Sequence, residues 1–427
     1  NHNGAFFLLD NFSFMNYFGK QRNGPVKDYG SQVFNANIKD AYSYFLTLGP
    51  IKNTQSDSYF NRQSTIWNEY LEHDTYDEYW KARNIRTALQ QINIPTLVVG
   101  GWFDAENLFG ALRTYEAIEK QNAKNNNKLV MGPWTHGSWA GGDWSRFATH
   151  DFGSNTSNYF QDSMQTPFFN YYLKDKGSFT LAEATVFETG SNQWRRYTSW
   201  PPEKAVNRKY YLNQDNKLSI TAGTGFDEYI SDPAKPVPYT NGIYARRNNE
   251  YMAEDQRFAA TRPDVLLYET EELTEDITLA GNIQADLHVS ITGTDADFIV
   301  KLVDVLPENT PNMKNAPRGF QLAGMQRLVR AEVMRGKFRN SFEKPEAFEP
   351  GKVTRVTINL NDVAHTFKKR HKIMVQIQSS WFPLVDRNPQ NFMRIPDAGE
   401  SDFKKITIKI HHNEVYKSLI VFPILNN

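Results

Sequence analysis

The segment from Ile94 to His136 leaves this chain little freedom of fold. Thr96 to Val99 is a short, continuous apolar run rich in β-branched residues and closed by Gly100-Gly101, the pattern of a strand buried on both faces of a parallel sheet. Leu108, Ala111, Leu112, Tyr115 and Ile118 then recur at helical spacing, so a helix follows with one face on that sheet. Leu129 to Met131 is a second apolar run, stopped by Gly132-Pro133. Strand, helix, strand predicts an α/β unit in which Asp104 lies just past the first strand and His136 just past the second.

In an open α/β sheet the crevice beyond the carboxyl ends of the strands is where ligands bind. An aspartate and a histidine delivered there can hydrogen-bond, the carboxylate fixing the ring tautomer and stabilising the imidazolium. That is two members of an acyl-transfer triad, in the chain order nucleophile, acid, histidine that α/β-hydrolases follow. Taken singly, Asp104 reads as a cap for the helix beginning near Ala105, and His136 as a loop histidine. The pair, after consecutive strands and in that order, favours catalysis.

The residues around both positions carry a resemblance. Gly100-Gly-Trp-Phe-Asp104-Ala-Glu-Asn-Leu-Phe-Gly110 and Met131-Gly-Pro-Trp-Thr-His136-Gly137 resemble the acid and histidine motifs of the CocE/NonD hydrolases. Thr189-Gly190 with Trp194-Arg195 and Trp200-Pro201-Pro202, Thr292 to Asp295, and Gln376 to Pro383 extend the likeness along essentially the whole chain. It is closest to the α-amino acid ester hydrolases and glutaryl-7-aminocephalosporanic acid acylases, with cocaine esterase and the X-prolyl dipeptidyl-peptidases as relatives. The resemblance implies a serine acyl hydrolase or acylase for small esters or amides, with Asp104 and His136 catalytic, no cofactor, and a homo-oligomer as one option.

The family's nucleophile stands in Gly-x-Ser-Tyr-x-Gly at a strand-to-helix elbow, and no Gly-x-Ser-x-Gly occurs here. Asn1 to Phe6 resembles a stretch that follows the elbow. The nucleophile and its oxyanion-hole tyrosine are therefore expected in an N-terminal segment of the same protein outside this sequence, and this chain alone is not expected to hydrolyse anything by a complete triad. Ser138 stands two residues past His136, but it follows a loop rather than an elbow and reverses the chain order.

Trp102, Glu106 and Asn107 are the substrate-binding candidates. In the α-amino acid ester hydrolases the positions two and three past the catalytic Asp are acidic and, with a third acid from upstream, hold the substrate's α-ammonium. Glu106 matches, Asn107 departs, and the third acid would fall just before Asn1. Clustered carboxylates need a cation to offset their repulsion, which selects a free amine. Glu106 reads equally well as a first-turn residue complementing the helix dipole.

Three regions are expected. Residues 1–91 form the end of an N-terminal hydrolase segment and a helical cap. Apolar Gly4 to Asn16 lies under something larger, Ala41 to Leu48 is a helix ended by Gly49-Pro50, and further helices run through Ile66-Tyr70-Leu71 and Tyr76-Tyr79-Trp80. Residues 92–178 complete the α/β-hydrolase part, ending in a helix through Phe160, Met164, Phe168 and Tyr172 that kinks at Pro167. Residues 179–427 change to period two. Ile283 to Ile291, Phe298 to Leu302, Val356 to Leu360, Ile373 to Ile377 and Ile406 to Ile410 read as half-buried strands with one polar face, an all-β sandwich that the resemblance makes a jelly roll. His288, His365, His371, His411 and His412 read as solvated, and Asp295-Ala-Asp297 as a turn between strands.

Formal charge is zero, with 48 basic and 48 acidic side chains, which asks for neither nucleic acid nor an anionic membrane. No apolar stretch is long enough for a membrane span. Zero cysteines exclude disulfides, thiolate metal sites and a cysteine nucleophile. Localisation stays open, with a secreted or periplasmic place favoured over the cytoplasm. Two other readings compete: an exopeptidase like the X-prolyl dipeptidyl-peptidases, and a non-catalytic sandwich that binds a glycan or protein surface through exposed aromatics.

Overall fold

In the computed structural model, residues 2–22, 24–27, 32–61, 63–314 and 320–426 are described; Asn1, which opens the stretch likened to the family, lies outside them. The aromatic N-terminal region folds into α1 (Leu8–Phe18), α2 (Ala41–Leu48), α3 (Thr65–Glu72) and the single turn α4 (Glu78–Lys81). Their starts follow from capping side chains: Asp40 accepts from the backbone N–H of Ser43, and Ser64 from that of Trp67. Phe12, Phe45, Phe60 and Trp67 pack edge-on and stacked at their centre.

A four-stranded sheet follows, with β1 (Thr96–Gly101), β2 (Asn127–Gly132), β5 (Ala184–Glu188) and β6 (Gln193–Tyr197) in that spatial order. Between β2 and β5 lies a two-residue ladder, β3 (Arg146–Phe147) with β4 (His150–Asp151). β1 pairs β2 in parallel from Thr96↔Asn127 to Gly101↔Gly132, β2 pairs β5 in parallel, and β6 returns antiparallel. The sheet thus takes in strands as far as Tyr197, beyond residue 178. Helix α5 (Leu108–Gln121) joins β1 to β2 and buries Leu108, Leu112, Tyr115 and Ile118, the stripe the spacing predicts. The helix through Phe160 is three pieces, α6 (Thr156–Phe160), a π-turn over Gln161–Gln165, and α7 (Thr166–Lys174). The widened turn lies directly before Pro167, whose ring cannot sit under a regular i−4 carbonyl.

The C-terminal region contributes β7 (Ala205–Asn213), β8 (Lys217–Ser219), β9 (Phe226–Ser231), β10 (Leu266–Glu269), β11 (Ile277–Ile291), β12 (Asp297–Val305), β13 (Gln326–Arg335), β14 (Thr354–Phe367), β15 (Lys372–Gln378), β16 (Ile406–His411) and β17 (Leu419–Leu425). Among the described residues these form one continuous sheet, ordered β13-β12-β15-β10-β8-β7-β17-β11-β16-β9 with β14 on β11. It folds over itself as a sandwich around Leu287, Val289, Phe298, Val300, Ile358, Val375 and Ile408. These are inward residues of the expected alternation.

The second face departs from expectation. β12 is not half-polar: Ile299, Lys301 and Val303 are as buried as Phe298, Val300 and Leu302. Ile299 and Val333 pack against Phe6, Leu9 and the aromatic helices, so the N-terminal region covers the outer face of β12 and β13. The histidines need correcting as well. His365 and His412 are buried, and carboxylates do meet them. Asp304 accepts from His371 Nδ1 at 2.7 Å and lies 3.4 Å from His365 Nε2, while His412 Nε2 is 2.9 Å from Asp227. Burial would raise the Asp304 carboxyl, but the bonds from both histidines outweigh it and hold it well below the carboxylate range. Asp295 and Asp297 flank the start of β12 and are buried in a network. Asp297 takes a bidentate pair from Arg335 at 2.9 and 3.0 Å, and Arg335 also donates to Asp386 at 2.6 Å.

Candidate active site

The turns after β1 and β2 are pressed together by backbone contacts. Trp102 N–H donates to the Gly132 carbonyl at 2.8 Å, and Phe103 N–H to the Trp134 carbonyl at 3.0 Å. The glycine ending β1 makes this possible: a Cβ on Gly101 would lie 2.1 Å from the Trp134 carbonyl oxygen. Trp134 is itself fully buried and anchored through Nε1 to Thr156 Oγ1 at 3.0 Å.

Asp104 and His136 meet in consequence. His136 Nδ1 lies 3.0 Å from Asp104 Oδ2 and 3.3 Å from Oδ1. Asp104 is 3% exposed, whereas half of the His136 side chain, 49%, is open. The Asp104 Oδ1 atom also accepts from the backbone N–H of Glu106 and Asn107, each at 2.9 Å. The helix-start reading and the histidine-orienting reading of Asp104 therefore both describe its contacts. Ser138 turns away into a bond with Thr135 Oγ1 at 2.8 Å.

Glu106 extends from the same turn. One carboxylate oxygen is 3.8 Å from His136 Nε2, the other 2.7 Å from Arg247 Nη2. Arg247 also donates to Asp10 on α1 at 2.5 Å and through Nε to Asn249 at 2.9 Å. Burial disfavours both partners' charges. It raises the Asp10 carboxyl on balance, with Arg247 pulling it down and Glu106 pushing it up; for Arg247 the carboxylates outweigh burial and raise it. Glu106, Asp10 and Arg247 line a cleft of about 750 Å³ together with Phe14, Tyr17 and Phe18, which continue along α1 from Asp10.

Asn107 is exposed, gives its N–H to Asp104, and is not among the cleft residues. Trp102 is corrected from substrate contact to core: it is 2% exposed, its Nε1 donates to the Phe187 carbonyl at 2.8 Å, and its own carbonyl accepts from Arg330 at 3.0 Å. As the residue after β1 it turns under the sheet rather than over its edge. Asp10 and Arg247 escaped the sequence reading. Asp10 is the one acid in an otherwise apolar and aromatic run, and that anomaly was the available signal. Arg247 lies 141 residues from Glu106, and nothing local links them.

Residues 164–421 match the X-Pro dipeptidyl-peptidase C-terminal non-catalytic domain, and residues 20–138 match the X-Pro dipeptidyl-peptidase S15 family. The chain belongs to the family that carries the X-Pro dipeptidyl-peptidase C-terminal domain, whose match spans more than half of it. The CocE/NonD likeness of its motifs agrees with this. Cocaine esterase of Rhodococcus sp. (strain MB1 Bresler) is 30% identical over 375 residues, an alignment covering 84% of this chain and 61% of the esterase. The chain thus spans less than two thirds of that curated relative. An aminopeptidase from a marine sediment Thaumarchaeota archaeon superposes with a TM-score of 0.91 at 33% identity, over 100% of this chain and 69% of that one. An α-amino acid ester hydrolase superposes with a TM-score of 0.90 at 32% identity, over 99% and 69%.

Proposed function

We propose that Asp104 and His136 are the acid and base of a serine acyl hydrolase that cleaves small esters or amides, serving a serine hydroxyl supplied from outside these 427 residues. The observation that carries the reading is the Nδ1 bond from His136 to buried Asp104, which leaves Nε2 on the open side of the ring. In that tautomer Nε2 is the proton acceptor. It takes the proton as the serine oxygen adds to the substrate carbonyl, then returns it to the departing alcohol or amine. Water, deprotonated by the same nitrogen, releases the acyl group and restores the serine. Asp104 holds the ring and offsets its positive charge in both halves.

The match to an aminopeptidase favours a second reading, cleavage of a peptide amide. Both are tested by labelling the intact protein with a fluorophosphonate and assaying p-nitrophenyl esters beside dipeptide anilides. Serine labelling, lost ester cleavage in His136→Ala and weaker anilide cleavage support the esterase; preference for the anilide supports the peptidase. Absence of labelling, or an active His136→Ala, overturns the triad.

A further inference from the structure

Arg247 stands where a substrate cation would otherwise be drawn. Its Nη1 and Nη2 bind Asp10 and Glu106 and its Nε binds Asn249, so each nitrogen of the guanidinium holds a protein partner. It is only 10% exposed, and the residue that follows it is held in place. Asn248 N–H donates to the hydroxyl of buried Tyr239, and the Asn248 side chain caps the turn that follows. Glu106 reaches within 3.8 Å of His136 Nε2. An acyl carbonyl within roughly 3–3.5 Å of a nucleophile activated by that nitrogen places its α-substituent beside the same carboxylate.

We propose that Arg247 sets acyl specificity by occupying the cation seat between Asp10 and Glu106, so that the site takes acyl groups bearing no ammonium next to the carbonyl. An incoming ammonium would have to share Glu106 with a fixed guanidinium and meet like charge at close range. An uncharged α-carbon loses nothing there, and its chain continues towards Phe14, Tyr17 and Phe18. A substrate carboxylate would meet the carboxylates of Asp10 and Glu106 at the same place, so the preferred acyl group is neutral and apolar or aromatic.

The inference rests on the hydrolase reading, and its test separates the two. The intact protein is assayed with the p-nitrophenyl esters of 3-phenylpropionate and of phenylalanine, which differ only by the α-ammonium. The expected result is a kcat/KM ratio favouring phenylpropionate at least about tenfold. Arg247→Met should reverse or erase that ratio, chiefly through KM, while Arg247→Lys should keep it. A wild type that prefers the phenylalanine ester, or a ratio unmoved in a folded Arg247→Met, overturns the role of Arg247 and leaves the hydrolase intact. Failure to cleave either ester takes down both readings. Should Arg247→Met not fold, the wild-type and Arg247→Lys ratios still decide.

Discussion

Asp104 bonds His136 most closely through Oδ2, while Oδ1 gathers the two backbone N–H groups that begin the next turn. The acid is thus oriented by the backbone before it orients the ring, and the two duties can be separated by mutation. Asp104→Asn keeps an acceptor for the backbone but changes the tautomer it stabilises in His136. It should lower ester turnover about 10⁴-fold with little change in melting temperature. Asp104→Ala should lose as much activity and about 1 kcal/mol of stability besides. Parallel steady-state kinetics and thermal melts check both, and full activity in the Asn variant refutes the assignment.

Trp102→Phe tests the place of that indole in the core. The substitution leaves the Phe187 carbonyl without its indole donor in a buried site. It should cost about 1–3 kcal/mol in urea unfolding while KM for small esters stays within about twofold. A large rise in KM with unchanged stability would return Trp102 to the substrate.

Arg335 joins Asp297 and Asp386 inside the protein, and Asp386 also accepts from the Phe6 N–H at 3.2 Å. Arg335→Met strands two buried carboxylates and should destabilise by about 3–5 kcal/mol. The double variant Arg335→Met with Asp297→Asn should recover part of this, measured as a coupling energy in a double-mutant cycle.

Lys301 is buried in β12, donating to Gln256 Oε1 at 2.8 Å, and burial pushes its ammonium down to about 7. The unfolded chain holds that proton up to about 10.4, so between the two values the unfolded state binds more protons and stability rises with pH. The penalty is complete below the folded value and fades towards the unfolded one. Melting between pH 7 and 9.5 should show a gain of up to about 1.4 kcal/mol per unit that Lys301→Met lacks. Parallel pH profiles for the two proteins would refute it.

The parts of the fold readable from sequence are those governed by short-range periodicity. The α5 stripe and the alternation of Ile283 to Ile291 each report one buried face, and both faces are where the pattern puts them. Asp104 and His136 were legible because each stands one short turn past a strand end. Lys301, Asp304 and His365 were not, because polar residues at alternate positions look solvated unless the layer covering them is known. That cover comes from distant segments, Gln256 and Trp381 at Lys301 and Thr189 and His150 beside His365, and no local pattern carries it. Arg247 escaped for the same reason, its partners being Asp10 and Glu106.

The two-sided burial of β12 also bears on how this protein can be re-engineered. Grafting the C-terminal sandwich of a relative onto residues 1–204 would leave Ile299 and Val333 replaced by side chains shaped for another set of aromatic helices. Chimeras that exchange the helices together with β12 and β13 should express and melt cooperatively, and those cut at the apparent boundary should aggregate. The unit of inheritance here is a shared wall, and it does not coincide with any single stretch of chain.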